Sequence, residues 1–173
     1  TADVVAPSLS SSSPADNATA VAVDSNIVLN FSEAVDTESG NILIKKTSDN
    51  STIETIDVTS GQVTGSGTNQ ITINPSSNLS SSTQYYVQVA ATAFDDAAEN
   101  SYAGISDTTS LSFTTADIND PSITGPSGSA GDATSSKSIN ENTTAVHTFT
   151  ANETVTWSLN GGADASKFAI NTS

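Results

Sequence analysis

The chain has 173 residues, 19 acidic against 4 basic, and a formal net charge of -15. So negative a surface repels nucleic acid and anionic membranes, and all four basic residues are lysines (Lys45, Lys46, Lys137, Lys167), which leaves no guanidinium fork for phosphates or base edges. The absence of cysteine excludes disulfides, thiolate metal sites and cysteine nucleophiles, and no apolar run is long enough to insert in a membrane as a helix. No signal peptide opens the sequence, and with no methionine it is expected to be a piece of a longer protein.

Ser, Thr, Asn, Asp and Gly dominate, yet the apolar residues fall in β-type clusters rather than being scattered as in a disordered chain. In chain order, "PSLSSSSP" and "TAVAV" supply a first, broken edge strand. "NIVLNF" alternates Ile27, Leu29 and Phe31 against polar neighbours, the pattern of a half-buried strand. "NILI" repeats it with Ile42 and Ile44, and "STIETIDV" follows a turn at Ser48-Asp49-Asn50. "NQITINP" carries Ile71 and Ile73 and stops at Pro75. "TQYYVQVAA" places Tyr85, Val87, Val89 and Ala91 on one face, and "SLSFTT" closes the set with Leu111 and Phe113. No segment has a helical period. Some seven short strands separated by turn residues predict an all-β, Ig-like antiparallel β-sandwich over residues 1–116. Its expected core is Leu29, Phe31, Ile42, Ile73, Tyr85, Val87, Val89 and Phe113.

Within "LSSSTQYYVQV" the spacing L-x-x-x-T-x-Y-x-V-x-V predicts a tyrosine corner, with the Tyr85 hydroxyl tied back to backbone. Residues 117–121, "DINDP", form an acidic linker. Beyond it "SITGPSGSAGDATSSK" is rich in Gly, Ser and Pro before alternation resumes in "AVHTFTANETVTWSL". Residues 122–173 are about half of the roughly 100 that a second sandwich needs, which predicts an incomplete second β-sandwich. Its apolar face, around Phe149, Trp157 and Phe168, is expected to be covered by another copy of the chain or to be poorly ordered.

The segments "SSSPADNATAVAVDSNIVLNFSEAVD", "GSGTNQITINPSSNL", "TQYYVQV" and "DDAAENSYAGISDTTSLSFTT" resemble the bacterial Ig-like domains of S-layer proteins and large surface adhesins. That resemblance implies a non-catalytic spacer or adhesion module, extracellular or on the cell surface, with neighbouring repeats of the same chain as partners. "INENTTAVHTFTA", "VTWSLNGGADASKFAIN" and "DINDP" resemble the opening half of a bacterial cadherin-like repeat and its linker. The second resemblance implies calcium, with Glu141 in the place of a calcium-binding glutamate. It departs from the cadherin pattern at Asn152-Glu153, where an Asp-x-Asp pair is usual.

Calcium takes six to eight oxygen ligands in forgiving geometry, which suits loops rich in Asp, Asn and Glu. One candidate site joins Asp117, Asn119 and Asp120 of the linker to Glu141 and Glu153. A second lies at the opposite pole, where loops "SEAVDTESG" and "FDDAAENSYAGISD" would bring Glu33, Asp36, Asp95 and Asp96 together, two acidic loops that repel unless a cation intervenes. The alternative reading of both is a solvated acidic surface.

Catalysis has little to draw on. His147 is the sole histidine and alternates with Val146 and Thr148 as a strand residue would, and "GSGT" lacks the lysine of a phosphate loop. No enzyme is expected. The rival function is a carbohydrate-binding sandwich of a secreted enzyme, with Trp157 stacking on sugar, although its alternation with Val155 and Leu159 fits a core position better.

Overall fold

Apolar residues at every second position become strands here because each strand lies between a partner sheet and water. The computed structural model describes residues 3–140, 146–158, 166 and 169–170. The chain divides into unit 1, Thr1–Ile118, and unit 2, Asn119–Ser173.

Unit 1 is built from ten strands: β1 (Leu9–Ser13), β2 (Ala18–Val21), β3 (Ile27–Thr37), β4 (Asn41–Lys46), β5 (Thr52–Asp57), β6 (Val63–Thr64), β7 (Thr68–Ile73), β8 (Gln84–Val89), β9 (Phe94–Asp95) and β10 (Ser112–Thr115). One sheet runs β1-β3-β7-β6, with β9 also paired to β3, and the other runs β2-β10-β8-β4-β5. The broken first strand is split between them: β1 pairs with β3, while β2 pairs with β10. Pro14, which has no N–H to donate, stands between the halves. The β2–β10 pairing is parallel, so the sandwich is not antiparallel throughout.

All eight expected core residues are buried. Phe31 packs between Phe94 and Tyr102, with ring centroids at 5.4 and 5.1 Å. The tyrosine corner is present: Ser80 N donates to the Tyr85 hydroxyl at 3.0 Å. Glu54 of β5 ties one open edge of the sandwich, accepting from Gln62 Nε2 at 2.7 Å and from Ser76 N with both carboxylate oxygens. Gly104 takes a φ of +75°, and a Cβ there would stand 2.5 Å from the Val89 carbonyl oxygen. Only glycine lets this loop approach β8 closely enough for the Val89–Ile105 bridge.

Two sequence expectations change at the ends of β3 and β8. Glu33 and Asp36 are not loop residues, because β3 runs eleven residues and stays paired as far as Thr37, against β7 at Val35 and β9 beyond it. Asp95 likewise lies in β9.

In unit 2, β11 (Ile123–Thr124) and β12 (Thr150–Ala151) pair antiparallel. Asn152 and Ser122 flank them, with Ser122 N donating to Asn152 Oδ1 and Asn152 N to the Ser122 carbonyl. His147 falls outside β12, is exposed and meets Phe149 edge-on at 5.1 Å, so it is not the strand residue that its alternation predicts. Trp157 is half-buried against Phe149, with centroids at 5.9 Å. Leu159 and Phe168 lie outside the described residues.

Candidate functional site

Four aspartates of unit 1 have an ordinary structural task. Asp49, Asp57 and Asp107 each accept from a backbone N–H and a hydroxyl two residues on, Ser51, Thr59 and Thr109 respectively. These are Asx turns, in which a side-chain oxygen stands in for a backbone acceptor. The hydrogen bonds hold all three carboxyls below the usual aspartate range, led at Asp107 by the Ser110 hydroxyl. Asp16 performs the same service over a long sequence distance, accepting from Ser112 N and Oγ.

Three acids at the pole also converge on one another, although two of them anchor turns as well, Asp3 Oδ1 accepting from Val5 N at 3.0 Å. One carboxylate oxygen from each of Asp3, Glu33 and Asp96 lies within 4.8 Å of the other two. Glu33 falls in the same alternate series of β3 as Ile27, Leu29, Phe31 and Val35, and it is half-buried where the core series reaches the end of the sandwich. Asp96 is 6 % exposed. A tight turn positions it: the Asp95–Ser101 bridge closes the loop, and Glu99 adopts a φ of 63°. Asp96 Oδ1 accepts from Ala98 N and Asn100 N, and Oδ2 from Asn100 Nδ2. The Asn100 side chain, its backbone N–H and Ala98 N lower the Asp96 pKa and keep it an anion. Asn100 Nδ2 also reaches the Asp3 carbonyl at 3.4 Å. Among the described residues no donor reaches the Glu33 carboxylate.

Asp3 carries no sequence signal; a pairing far along the chain brings it in. The Leu9–Phe31 register and the Ser32 N to Ser8 O bond lay the first residues along the upper half of β3, beside Glu33. Asp36 and Asp95, by contrast, face each other across the β3–β9 pair. Like charges directly opposite in a sheet destabilise it. Asp36 Oδ1 accepts from Ser66 Oγ at 3.3 Å, whereas Asp95 Oδ1 is buried and accepts nothing among the described residues. The pole candidates therefore separate into Glu33 with Asp96, joined by Asp3, and Asp36 opposite Asp95.

The linker candidates are placed differently. Asp117 Oδ1 accepts from Ser81 Oγ, which also accepts from Ile118 N, so the linker begins fastened to the turn before β8. That turn is at the end of unit 1 opposite the Asp96 loop, which follows β8. Asn119 and Asp120 open unit 2, where Glu153 is half-buried. Glu141 lies outside the described residues. Among the described residues the one group of three convergent carboxylates contains no linker residue.

An all-oxygen set of three carboxylates suits a hard cation such as calcium and suits zinc poorly, since zinc favours nitrogen and sulfur. The chain's one histidine is in the other unit.

Residues 3–115 match the model of a family described as the bacterial Ig-like domain. No curated protein matches the sequence. Among solved structures, the crystal structure of the S-layer protein rSbsC(31-844) is similar, at 19% identity and a TM-score of 0.41, over 69% of this chain and 15% of that one. The chain thus spans a small part of that protein's length. With two facing sheets, a tyrosine corner and a family match over most of its length, this chain belongs to the bacterial Ig-like domain family.

Proposed function

We propose that this chain is a non-catalytic module of a bacterial surface protein, a spacer and adhesion unit whose acidic pole is stiffened by calcium. Family membership supports the module role, and the convergence of Asp3, Glu33 and Asp96 within 4.8 Å carries the calcium reading. Three carboxylates held so close repel one another, and a divalent cation converts that repulsion into a crosslink between the N-terminal segment, β3 and the Asp96 loop. The module's partners are neighbouring Ig-like or cadherin-like repeats and, through the exposed Phe149 of unit 2, another copy of the chain. The setting is extracellular.

Extracellular modules bind calcium with dissociation constants of about 0.1 to 1 mM. At about 10 mM calcium, binding to the native state alone adds about 1.4 to 2.7 kcal/mol, a shift of a few degrees in Tm. Melts in calcium and in chelator test this, with Glu33→Gln removing the response and Asp120→Ala keeping it. A melt that is indifferent to calcium, or that responds equally to sodium at matched ionic strength, contradicts the reading.

The carbohydrate-binding alternative draws on the group of exposed His147 and Phe149 with half-buried Trp157. Glycan binding abolished by Trp157→Ala favours it over a spacer.

A further inference from the structure

The chain has five prolines, and one of them, Pro121, follows an aspartate. That Asp-Pro step lies just past the boundary between the units, Ile118/Asn119. Residues 117–121 are all exposed and outside regular structure, so water reaches the Asp120–Pro121 bond. The stretch is short and fastened at each side. Ile118 N donates to Ser81 Oγ in unit 1, and Ser122 is bonded in both directions to Asn152 in unit 2.

We propose that the Asp120–Pro121 peptide bond is a carboxyl-assisted scission site that separates the two units, with water as the co-reactant. The Asp120 carboxyl can close a five-membered ring onto its own backbone carbonyl carbon, an intramolecular attack that needs no second molecule in place. The C–N bond to Pro121 breaks as the new C–O bond forms, leaving a cyclic anhydride at Asp120. The carboxyl proton goes to the proline nitrogen, which departs as a secondary amine. An X-Pro bond is a tertiary amide, and its nitrogen is more readily protonated than that of an ordinary peptide. Water then opens the anhydride, so one product ends in Asp120 and the other begins at Pro121.

The surroundings favour this bond over the rest of the chain. Asn74–Pro75 is the nearest analogue, but Asn74 is held on both sides, its N–H donating to the Gln62 carbonyl and its carbonyl accepting from Gln62 Nε2. The fastenings at Ile118 and Ser122 stay with their own units after the cut, so neither unit loses a hydrogen bond described above. Scission at Asp120 needs no calcium and involves none of Asp3, Glu33 and Asp96.

The test is incubation of the full chain in mild acid, under conditions where the β-sheet circular dichroism of unit 1 persists, followed by intact-mass spectrometry. The expected result is a pair of fragments, residues 1–120 and 121–173, as the first products. Both are lost in Asp120→Asn, which removes the acid, and in Pro121→Ala, which restores an ordinary amide nitrogen. An intact chain after prolonged incubation overturns the proposal. So does cutting at other bonds first, or equal cutting in Asp120→Asn, since the side-chain carboxyl would then have no part in it.

Discussion

Units 1 and 2 use the same Ser/Thr/Asn/Asp-rich vocabulary and the same apolar alternation, yet among the described residues only unit 1 buries it. Ile27, Leu29, Ile42, Ile44, Ile71 and Ile73 have almost no exposure, whereas Ile123 is 37 %, Ile139 42 % and Phe149 48 % exposed. Alternation makes a strand with two unlike faces, but the apolar face is buried only where a second sheet stands opposite. In unit 1, two five-stranded sheets meet that condition. In unit 2, the described strands are two residues each and cover little.

The contrast can be broken most forcefully by mutation. Leu29→Ala should cost unit 1 about 2–5 kcal/mol, the usual range for a cavity in a packed core. Phe149→Ala should cost less than about 1 kcal/mol, because its ring is already half in water. Denaturant melts of the two variants check this, and equal losses would erase the distinction between the units.

Acid should sharpen the same contrast. Partial burial alone would raise the Glu54 pKa, but the Gln62 amide and the Ser76 donors outweigh it and hold the group below its ordinary 4.5. A depressed folded-state pKa gives stability that is present above 4.5 and lost as pH falls through the lowered value. The hydrogen-bonded Asp96 and Asx-turn aspartates act in the same direction. Unit 1 should therefore hold its Tm down to the carboxylate range and lose it below. Glu54→Gln should be less stable at neutral pH and show a shallower acid limb, and an unchanged limb would remove Glu54 from the edge lock.

A smaller effect needs no mutation. The single tryptophan, Trp157, is in unit 2, while the tyrosines Tyr85, Tyr86 and Tyr102 are buried in unit 1. Tryptophan fluorescence and far-ultraviolet circular dichroism should thus give non-coincident urea transitions, with the tryptophan signal changing first. One shared midpoint would mean that the units unfold together.

The sandwich was readable from the sequence because its information is local: period-two alternation, turn residues and the tyrosine-corner spacing each occupy a dozen residues or fewer. What escaped was non-local. Where β3 ends depends on β9, a two-residue strand with no signal of its own, so Asp36 read as a loop residue, and Glu33 lies inside β3 because Val35 still pairs with β7. Asp3 joins Glu33 only through the β1–β3 register, which no spacing near residue 3 announces. The Asx turns were within reach, since "DNS", "DVT" and "DTT" repeat an aspartate two residues before a hydroxyl.

Peptide-resolved hydrogen exchange in calcium and in chelator reports both whether an ion binds at the acidic pole and where. A calcium ion held by Asp3, Glu33 and Asp96 slows exchange at residues 3–8, in the second half of β3 and across the loop 94–102, with residues 117–121 unchanged. Protection confined to the linker would move the ion to Asp117, Asn119 and Asp120 and contradict the placement at the pole. Identical exchange in both conditions would leave Asp3, Glu33 and Asp96 as a solvated acidic surface.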